Sequence, residues 1–104
     1  MRSIINGDQK DMCHYCGRFF ENTHKHHIFG GANRKHSEKY GLYVHLCPKH
    51  HNMSDNSVHF NKDIMDYYHK IGQRSFELWY EETNHCSAEE SRRKFMEIFG
   101  RNYV

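Results

Sequence analysis

The stretch His24–Asn52, HKHHIFGGANRKHSEKYGLYVHLCPKHHN, decides the fold that we expect for this chain. HKHHIF has the length and the apolar end of a β-strand, and GLYVHL alternates apolar and polar residues like a second strand. GGANRKHSEKY between them is long and begins with two glycines, so we expect an exposed loop. Pro48 suits the first turn of a helix, where its missing N–H costs nothing. The stretch therefore predicts strand, loop, strand and helix over residues 24 to about 56.

The chain has 104 residues, of which 37% are hydrophobic, and it reads as one small domain. Burial of so little apolar surface hardly offsets the conformational entropy that the chain loses on folding. Small domains of this kind are usually stabilised by a bound metal or by disulfides. We therefore expect metal ligands or paired cysteines to stabilise this chain.

Two chelating steps stand thirty residues apart, and each offers two ligands to one tetrahedral zinc ion. They are a zinc-knuckle-like Cys13-x-x-Cys16 followed by glycine, and Cys47-x-x-His50. Four unrelated Cys and His residues are the alternative. Disulfides fit less well, because Cys13 and Cys16 are close together, Cys86 has no matching step, and a reducing compartment keeps thiols free. A closed site with four protein ligands is structural by rule.

The histidine pairs leave a second set of imidazoles. His51 follows His50 in the predicted helix and projects about 100° away, so it does not easily reach the same ion. His26 and His27 alternate across the predicted strand and point to opposite faces. A hairpin packed on the helix can bring one or both of them toward His51. Such a site would combine imidazoles that hold a cation with one that accepts a proton from water.

At these residues the chain resembles the HNH family of ββα-metal (His-Me finger) endonucleases, in the zinc-supported branch. The matching residues are His26-His27-Ile28 at the end of the first strand, and Leu46-Cys47-Pro48-Lys49-His50-His51-Asn52 at the helix. The resemblance covers residues 13 to 52. It implies an α+β fold, namely a small zinc-stabilised ββα-metal unit with additional C-terminal helices.

The resemblance also implies roles for individual residues. His27 would be the general base that activates water for attack on a phosphodiester, and His26 and His51 would hold one catalytic cation. We expect Mg²⁺ or Mn²⁺, with zinc, nickel or cobalt as alternatives that imidazole admits. Cys13, Cys16, Cys47 and His50 would hold the structural zinc.

The central Asn of the family pattern has no counterpart, because Gly41 and Leu42 stand where it is usual. Asn33 or His45 are the candidates to support the site in its place. The loop cations Arg34, Lys35 and Lys39 are candidate phosphate contacts, with a merely solvated face as the alternative.

The remaining histidines carry weaker expectations. We expect His24, His36, His69 and His85 to be solvated surface residues and His14 to be a turn residue. His59 follows the metal helix and could approach the site, although no motif supports this.

Outside this core, we expect residues 1–11 to be a loose tail, 12–57 to form the zinc knuckle and ββα unit, and 58–104 to form helices. NKDIMDYYHKIGQRSFELWYEE (residues 61–82) has helical spacing, with Met65, Tyr68, Ile71 and Trp79 in the core and Gly72 as a weak point. Ser87 with Glu90 predicts a helix start, and Gly100 predicts its end.

Net charge is +2, but its distribution is uneven. Residues 18–50 hold six Lys or Arg against two acids, whereas residues 81–90 hold four glutamates and no Lys or Arg. The chain lacks an apolar run of membrane-spanning length and an export-like leader, so we expect a cytoplasmic protein without a membrane partner. Its small size resembles that of phage- or prophage-borne nucleases.

The function that we expect is therefore metal-dependent cleavage of DNA, with RNA as an alternative substrate. A zinc-finger-like module that binds nucleic acid without cutting it is the second hypothesis. A third is an adaptor whose C-terminal helices bind a protein partner.

Overall fold

The computed structural model describes residues 1–51, 59 and 61–104. The chain is a small α+β domain that contains, within the described residues, a two-stranded sheet and four helices. The strands are β1 (His24–His27) and β2 (Tyr43–Leu46), and the helices are α1 (Arg34–Lys39), α2 (Pro48–His51), α3 (Lys62–Asn84) and α4 (Ala88–Phe99). The predicted continuation of α2 to about residue 56 lies outside the described residues.

The two strands pair antiparallel, with His26 opposite Val44 and His27 opposite Tyr43. This confirms the predicted hairpin, although both strands are shorter than predicted. Ile28 was predicted to lie in β1 but follows its last residue. The Ile28 N–H nevertheless donates to the Leu42 carbonyl at 3.0 Å. The hairpin sets the direction of every histidine on β1, because successive side chains of a strand point to opposite faces.

The connection between the strands is a correction to the sequence prediction. We expected an exposed loop, whereas residues 31–33 form a 3₁₀ turn that leads into α1. Ser37 in α1 is fully buried, and its hydroxyl donates to the Phe29 carbonyl at 2.8 Å and accepts from the Phe29 N–H at 3.0 Å. This pair of bonds fixes α1 to the end of β1, a contact that sequence periodicity does not reveal.

The first eleven residues also differ from the prediction. They pack on the domain instead of forming a loose tail. Ile5 is 4% exposed, and the Ile4 N–H donates to the Gly41 carbonyl at 2.9 Å. Gly41 has φ 68°, and a Cβ at this position would lie 2.1 Å from the Arg2 carbonyl oxygen. Only glycine therefore allows the N-terminal segment to approach so closely.

Local caps bound the long helices, and the sequence predicted those of α4. The Asn61 side chain accepts from the backbone N–H groups of Asp63 and Ile64 at the start of α3. Ser87 accepts from the Glu90 N–H at 3.1 Å, and Gly100 ends α4 with φ 78°. These local signals were readable because each cap involves residues at most four positions apart.

Phe29 lies at the centre of the core that α3 and α4 form against the hairpin. Its ring lies 4.8 Å from that of Phe99 and 5.4 Å from that of Phe95, between centroids. Tyr68 is buried as predicted, while Met65, Ile71 and Trp79 are partly buried against the core. At Gly72, α3 lies so close to the end of β1 that a Cβ would be 2.8 Å from Ile28 Cγ2 and 2.9 Å from Phe29 Cε2. Among the described residues, no helix has the length and apolar character that crossing a membrane requires.

Candidate metal centres and a basic groove

Four residues from two distant segments form a cluster that could hold a metal ion such as zinc: Cys13, Cys16, Cys47 and His50. We call it the cysteine site. One ligand atom from each of the four lies within 4.8 Å of all the others. The first two come from the knuckle turn, in which Gly17 has φ 75°, and the other two come from the junction of β2 and α2. All four cysteines of the chain are free thiols, which disfavours the disulfide alternative.

The spacing of the donor atoms fits a tetrahedral ion. His50 Nδ1 lies 3.2 Å from Cys47 Sγ and 3.8 Å from Cys13 Sγ. With bonds of roughly 2.3 Å to sulfur and about 2.0 Å to nitrogen, a tetrahedral zinc ion separates the two donors by about 3.5 Å. The two observed distances lie on either side of this value, so the cluster needs only small adjustments to bind zinc.

The protonation states of Cys13 and His50 favour metal binding, whereas that of Cys47 opposes it. Burial raises the pKa of the Cys13 thiol, but hydrogen bonds from the backbone N–H groups of Cys16 and Cys47 lower it. The net shift of the Cys13 pKa is downward. Burial raises the pKa of Cys47, so this thiol loses its proton as a metal binds. Burial, and then the charges of Lys49 and Arg18, lower the pKa of His50, which keeps its ring neutral.

A second set of possible ligands consists of His26, His51 and His59, whose nearest ring nitrogens lie within 4.8 Å of one another. We call it the imidazole cluster. His26 comes from the inner face of β1 and is 8% exposed, whereas His51 comes from α2. The Nε2 atoms of His51 and His59 are 3.0 Å apart. Two nitrogens bound to one tetrahedral ion are about 3.3 Å apart, so the pair is already close to ligand spacing.

The pKa of His26 is lowered to about 3, first by burial and then by the neighbouring imidazoles His51 and His59. The pKa of His51 is lowered to about 4, again first by burial and then by His59 and His24. Both rings are therefore neutral at physiological pH and have a lone pair to offer. The structure brings together His26 and His51 as predicted, and it adds His59.

His24 contacts the same cluster, which corrects the prediction of a solvated side chain. Its Nδ1 lies 2.9 Å from His51 Nδ1, so one of the two rings donates N–H to the other. His51 thus has one ring nitrogen beside His24 and the other beside His59. Such a partner fixes the orientation of a ligand histidine.

His27 lies on the opposite face of β1, as the alternation of a strand predicts. Its Nε2 is 2.7 Å from Glu38 Oε2, and 13% of its side chain is exposed. His27 borders an open groove of about 810 Å³. The groove is otherwise lined by Lys25, Gly31, Ala32, Arg34, Lys35 and Glu38.

The other predicted site residues divide between this groove and the body of the domain. Arg34 and Lys35 line the groove, but Lys39 lies over the Tyr40 ring, 5.3 Å from its centroid. The Asn33 amide donates to the Phe99 carbonyl at 3.0 Å. This bond ties the start of α1 to the end of α4, so Asn33 does not support the imidazole cluster.

His45 also has a different role from the one predicted. Asp8 accepts from the His45 backbone N–H at 2.7 Å and contacts its Nδ1 at 2.8 Å. The Asp8 side chain is 3% exposed. His45 therefore anchors the N-terminal segment to β2 and does not orient His27.

Two more histidines depart from the predictions. His14 is more than a turn residue, because its Nδ1 lies 2.8 Å from the Tyr68 hydroxyl and its Nε2 lies 2.9 Å from the Asn6 carbonyl oxygen. His69 is half-buried and stacks on Phe29, instead of facing solvent. His85, by contrast, is exposed as predicted.

Sequence reasoning missed two residues that border the site. His24 had a usable signal, because it stands two residues before His26 and so shares its face of β1. Glu38 had none, because its contact with His27 depends on where α1 packs.

No family model, curated protein or solved structure matches this chain. The resemblance to HNH endonucleases therefore stays a prediction, and the proposals below depend on the chain's own geometry.

Proposed function

We propose that this chain is a metal-dependent endonuclease that hydrolyses phosphodiester bonds in DNA, with the imidazole cluster as its cation site and His27 as its general base. One observation carries the proposal. The four-residue strand β1 presents His26 to the imidazole cluster and the adjacent His27 to a groove lined by cations. A cation site and a proton acceptor are therefore adjacent in the chain, beside a surface suited to phosphate.

The groove supplies the substrate contacts in this proposal. Arg34 and Lys35 are exposed and line the groove together with His27. Contacts from Arg and Lys to phosphate oxygens position a nucleic-acid backbone without reading its sequence. Limited sequence preference follows, and RNA remains an alternative substrate.

His27 performs the proton transfer in this proposal. Its Nε2 faces Glu38, which leaves Nδ1 to accept a proton from a water molecule. The oxygen of that water forms a bond to phosphorus, the bond from phosphorus to the 3′ oxygen breaks, and the electron pair leaves on that oxygen. The chemistry that a bound divalent cation supplies is stabilisation of the negative charge on the phosphate and on the departing oxygen.

The donor set changes the cation that we expect. Within the part of the chain that the structure describes, the imidazole cluster offers nitrogen donors only, whereas Mg²⁺ prefers oxygen ligands in octahedral geometry. Imidazole suits zinc, nickel and cobalt. We therefore propose one of these ions as the cofactor of the imidazole cluster, ahead of Mg²⁺ or Mn²⁺, and zinc as the resident of the cysteine site.

A nicking assay on supercoiled plasmid tests the function. Wild type, His27→Ala and the control His85→Asn are compared with Mg²⁺, Mn²⁺, Zn²⁺, Ni²⁺ and Co²⁺. His85 is exposed and has φ 51°, a conformation that asparagine tolerates, so its replacement should leave cleavage unchanged. We expect His27→Ala to lose about 100-fold or more in rate, the usual contribution of a general base.

A nucleic-acid-binding module without cleavage is the second candidate, and one observation favours it. His27 lies on the face of β1 opposite His26, and its Nε2 is engaged by Glu38. Plasmid that stays intact with every cation, combined with DNA retention in a gel-shift assay at low salt, would establish the binding module instead. Low salt is the sensitive condition, because phosphate contacts weaken as salt rises.

A further inference from the structure

Helix α1 is fixed relative to β1 by a buried serine. The Ser37 hydroxyl bonds to both the N–H and the carbonyl of Phe29, and the Ser37 carbonyl accepts from the Leu42 N–H at 2.8 Å. Three hydrogen bonds thus tie residue 37 to the chain on either side of it. The next residue, Glu38, is consequently placed within reach of β1.

From this position Glu38 reaches two side chains of the outer face of β1. Its Oε2 lies 2.7 Å from His27 Nε2, and its Oε1 lies 3.1 Å from Lys25 Nζ. Hydrogen bonds from His27, and then from Lys25, lower the pKa of the Glu38 carboxyl, so the group is a carboxylate. A carboxylate only accepts hydrogen bonds, so His27 must present N–H at Nε2.

We propose that Glu38 is the positioning residue of His27: it holds the ring with its proton on Nε2 and leaves Nδ1 as the basic nitrogen. The effect on cleavage that we expect rests on the proposed nuclease function, whereas the contact between Glu38 and His27 does not. Removing the carboxylate would let the ring rotate and exchange tautomers. A general base that spends part of its time with the wrong nitrogen deprotonated is slower.

The competing explanation is an ordinary surface ion pair between Lys25 and Glu38. Such pairs contribute little, because both partners are solvated, and here their side chains are 40% and 52% exposed. Lys25 also has another partner, since its Nζ lies 4.3 Å from the centroid of the Tyr43 ring. The 2.7 Å contact to His27, which is only 13% exposed, is the shorter and better shielded of the two.

Nitrogen-15 NMR of the His27 ring tests the inference directly, because protonated and unprotonated ring nitrogens resonate far apart. Spectra are recorded for zinc-loaded wild type, Glu38→Gln, Glu38→Ala and the control Glu89→Gln, at a pH well above the ordinary imidazole pKa. Glu89 is on α4 with 87% of its side chain exposed, so it matches the charge change without touching the groove. We expect a single Nε2–H tautomer in wild type, in the control and in Glu38→Gln, whose amide oxygen still accepts. Glu38→Ala should show a mixture of tautomers.

Cleavage kinetics supply the second readout. We expect Glu38→Ala to lower kcat by roughly 10- to 100-fold, the usual effect of losing a partner that orients a functional histidine. KM should not rise, because a negative charge leaves the groove, and Glu38→Gln should recover most of kcat. An unchanged His27 tautomer in Glu38→Ala overturns the inference and leaves only the ion pair. If wild type does not cleave at all, the nuclease proposal fails, and the spectra still decide whether Glu38 sets the His27 ring.

Discussion

His50 and His51 are consecutive residues of α2, yet their rings enter two separate clusters. His50 Nδ1 lies 3.2 Å from Cys47 Sγ in the cysteine site. His51 Nε2 lies 3.0 Å from His59 Nε2 in the imidazole cluster. An α-helix turns by about 100° at each residue, so neighbouring side chains diverge. One short helix thereby contributes one histidine to each of two clusters that could hold a metal ion.

Loss of the cysteine site should unfold the protein. Metal binding by a small zinc module contributes on the order of 10 kcal/mol to folding, which is comparable to the whole stability of a domain of this size. We expect Cys13→Ser, or removal of zinc by a chelator, to abolish the cooperative thermal transition measured by circular dichroism. Cys86→Ser is the matched control, because Cys86 lies outside the cluster. A Cys13→Ser protein with the wild-type melting temperature would contradict the structural role of this site.

The two clusters should hold metal independently. We expect His26→Ala to lose the weaker of two bound equivalents of zinc or nickel in calorimetric titrations. The chain should stay folded, because the cysteine site still binds its metal ion. His85→Asn should bind as wild type does. Retention of both equivalents in His26→Ala would show that the imidazole cluster is not a metal site.

Gly72 should not tolerate a side chain. A Cβ at this position would lie 2.8 Å from Ile28 Cγ2 and 2.9 Å from Phe29 Cε2. Phe29 is 2% exposed and is held between aromatic rings, so it has no room to yield. Overpacking of this kind costs about 1 to 3 kcal/mol, and the higher helix propensity of alanine offsets about 1 kcal/mol of it.

We therefore expect Gly72→Ala to lower the free energy of unfolding by about 1 kcal/mol, and by no more than about 2 kcal/mol, in urea titrations. Gly30→Ala is the control, because Gly30 has φ −94° and a Cβ there meets nothing within 4 Å. Equal stability of the two variants would mean that α3 can move away from the hairpin.

Acid should destabilise the domain partly through His69. Burial lowers its pKa below the ordinary value of about 6.5, although Asp66 opposes the shift. Between the folded and unfolded pKa values the unfolded chain binds more protons, so stability falls as pH decreases below about 6.5. The contribution of neutral His69 to stability is fully present above that pH.

The size of this effect is at most about 1.4 kcal/mol for each pH unit within that window. His69→Phe keeps the stacking on Phe29, whose ring centroid is 5.4 Å away, and removes the titrating group. We expect the variant to lose less stability than wild type between about pH 7 and about pH 5 in urea titrations. Parallel stability curves for the two proteins would show that His69 titrates normally.

The sequence by itself determined the features that depend on short spacing. The two chelating steps predicted the cysteine site, because each step places two ligands within one turn of the chain. The caps at Ser87 and Gly100 predicted the limits of α4, because a cap is a bond between near neighbours. The alternation of β1 likewise predicted that His26 and His27 point apart.

Only the tertiary structure decided which other groups join those residues. Glu38 meets His27, Asp8 meets His45 and His24 meets His51 across separations of 11, 37 and 27 residues. Periodicity and capping describe hydrogen bonds and side-chain faces within a few residues, so they contain no information about such pairs. These contacts follow from where α1, the N-terminal segment and α2 pack on the hairpin, which is set by burial of the whole core.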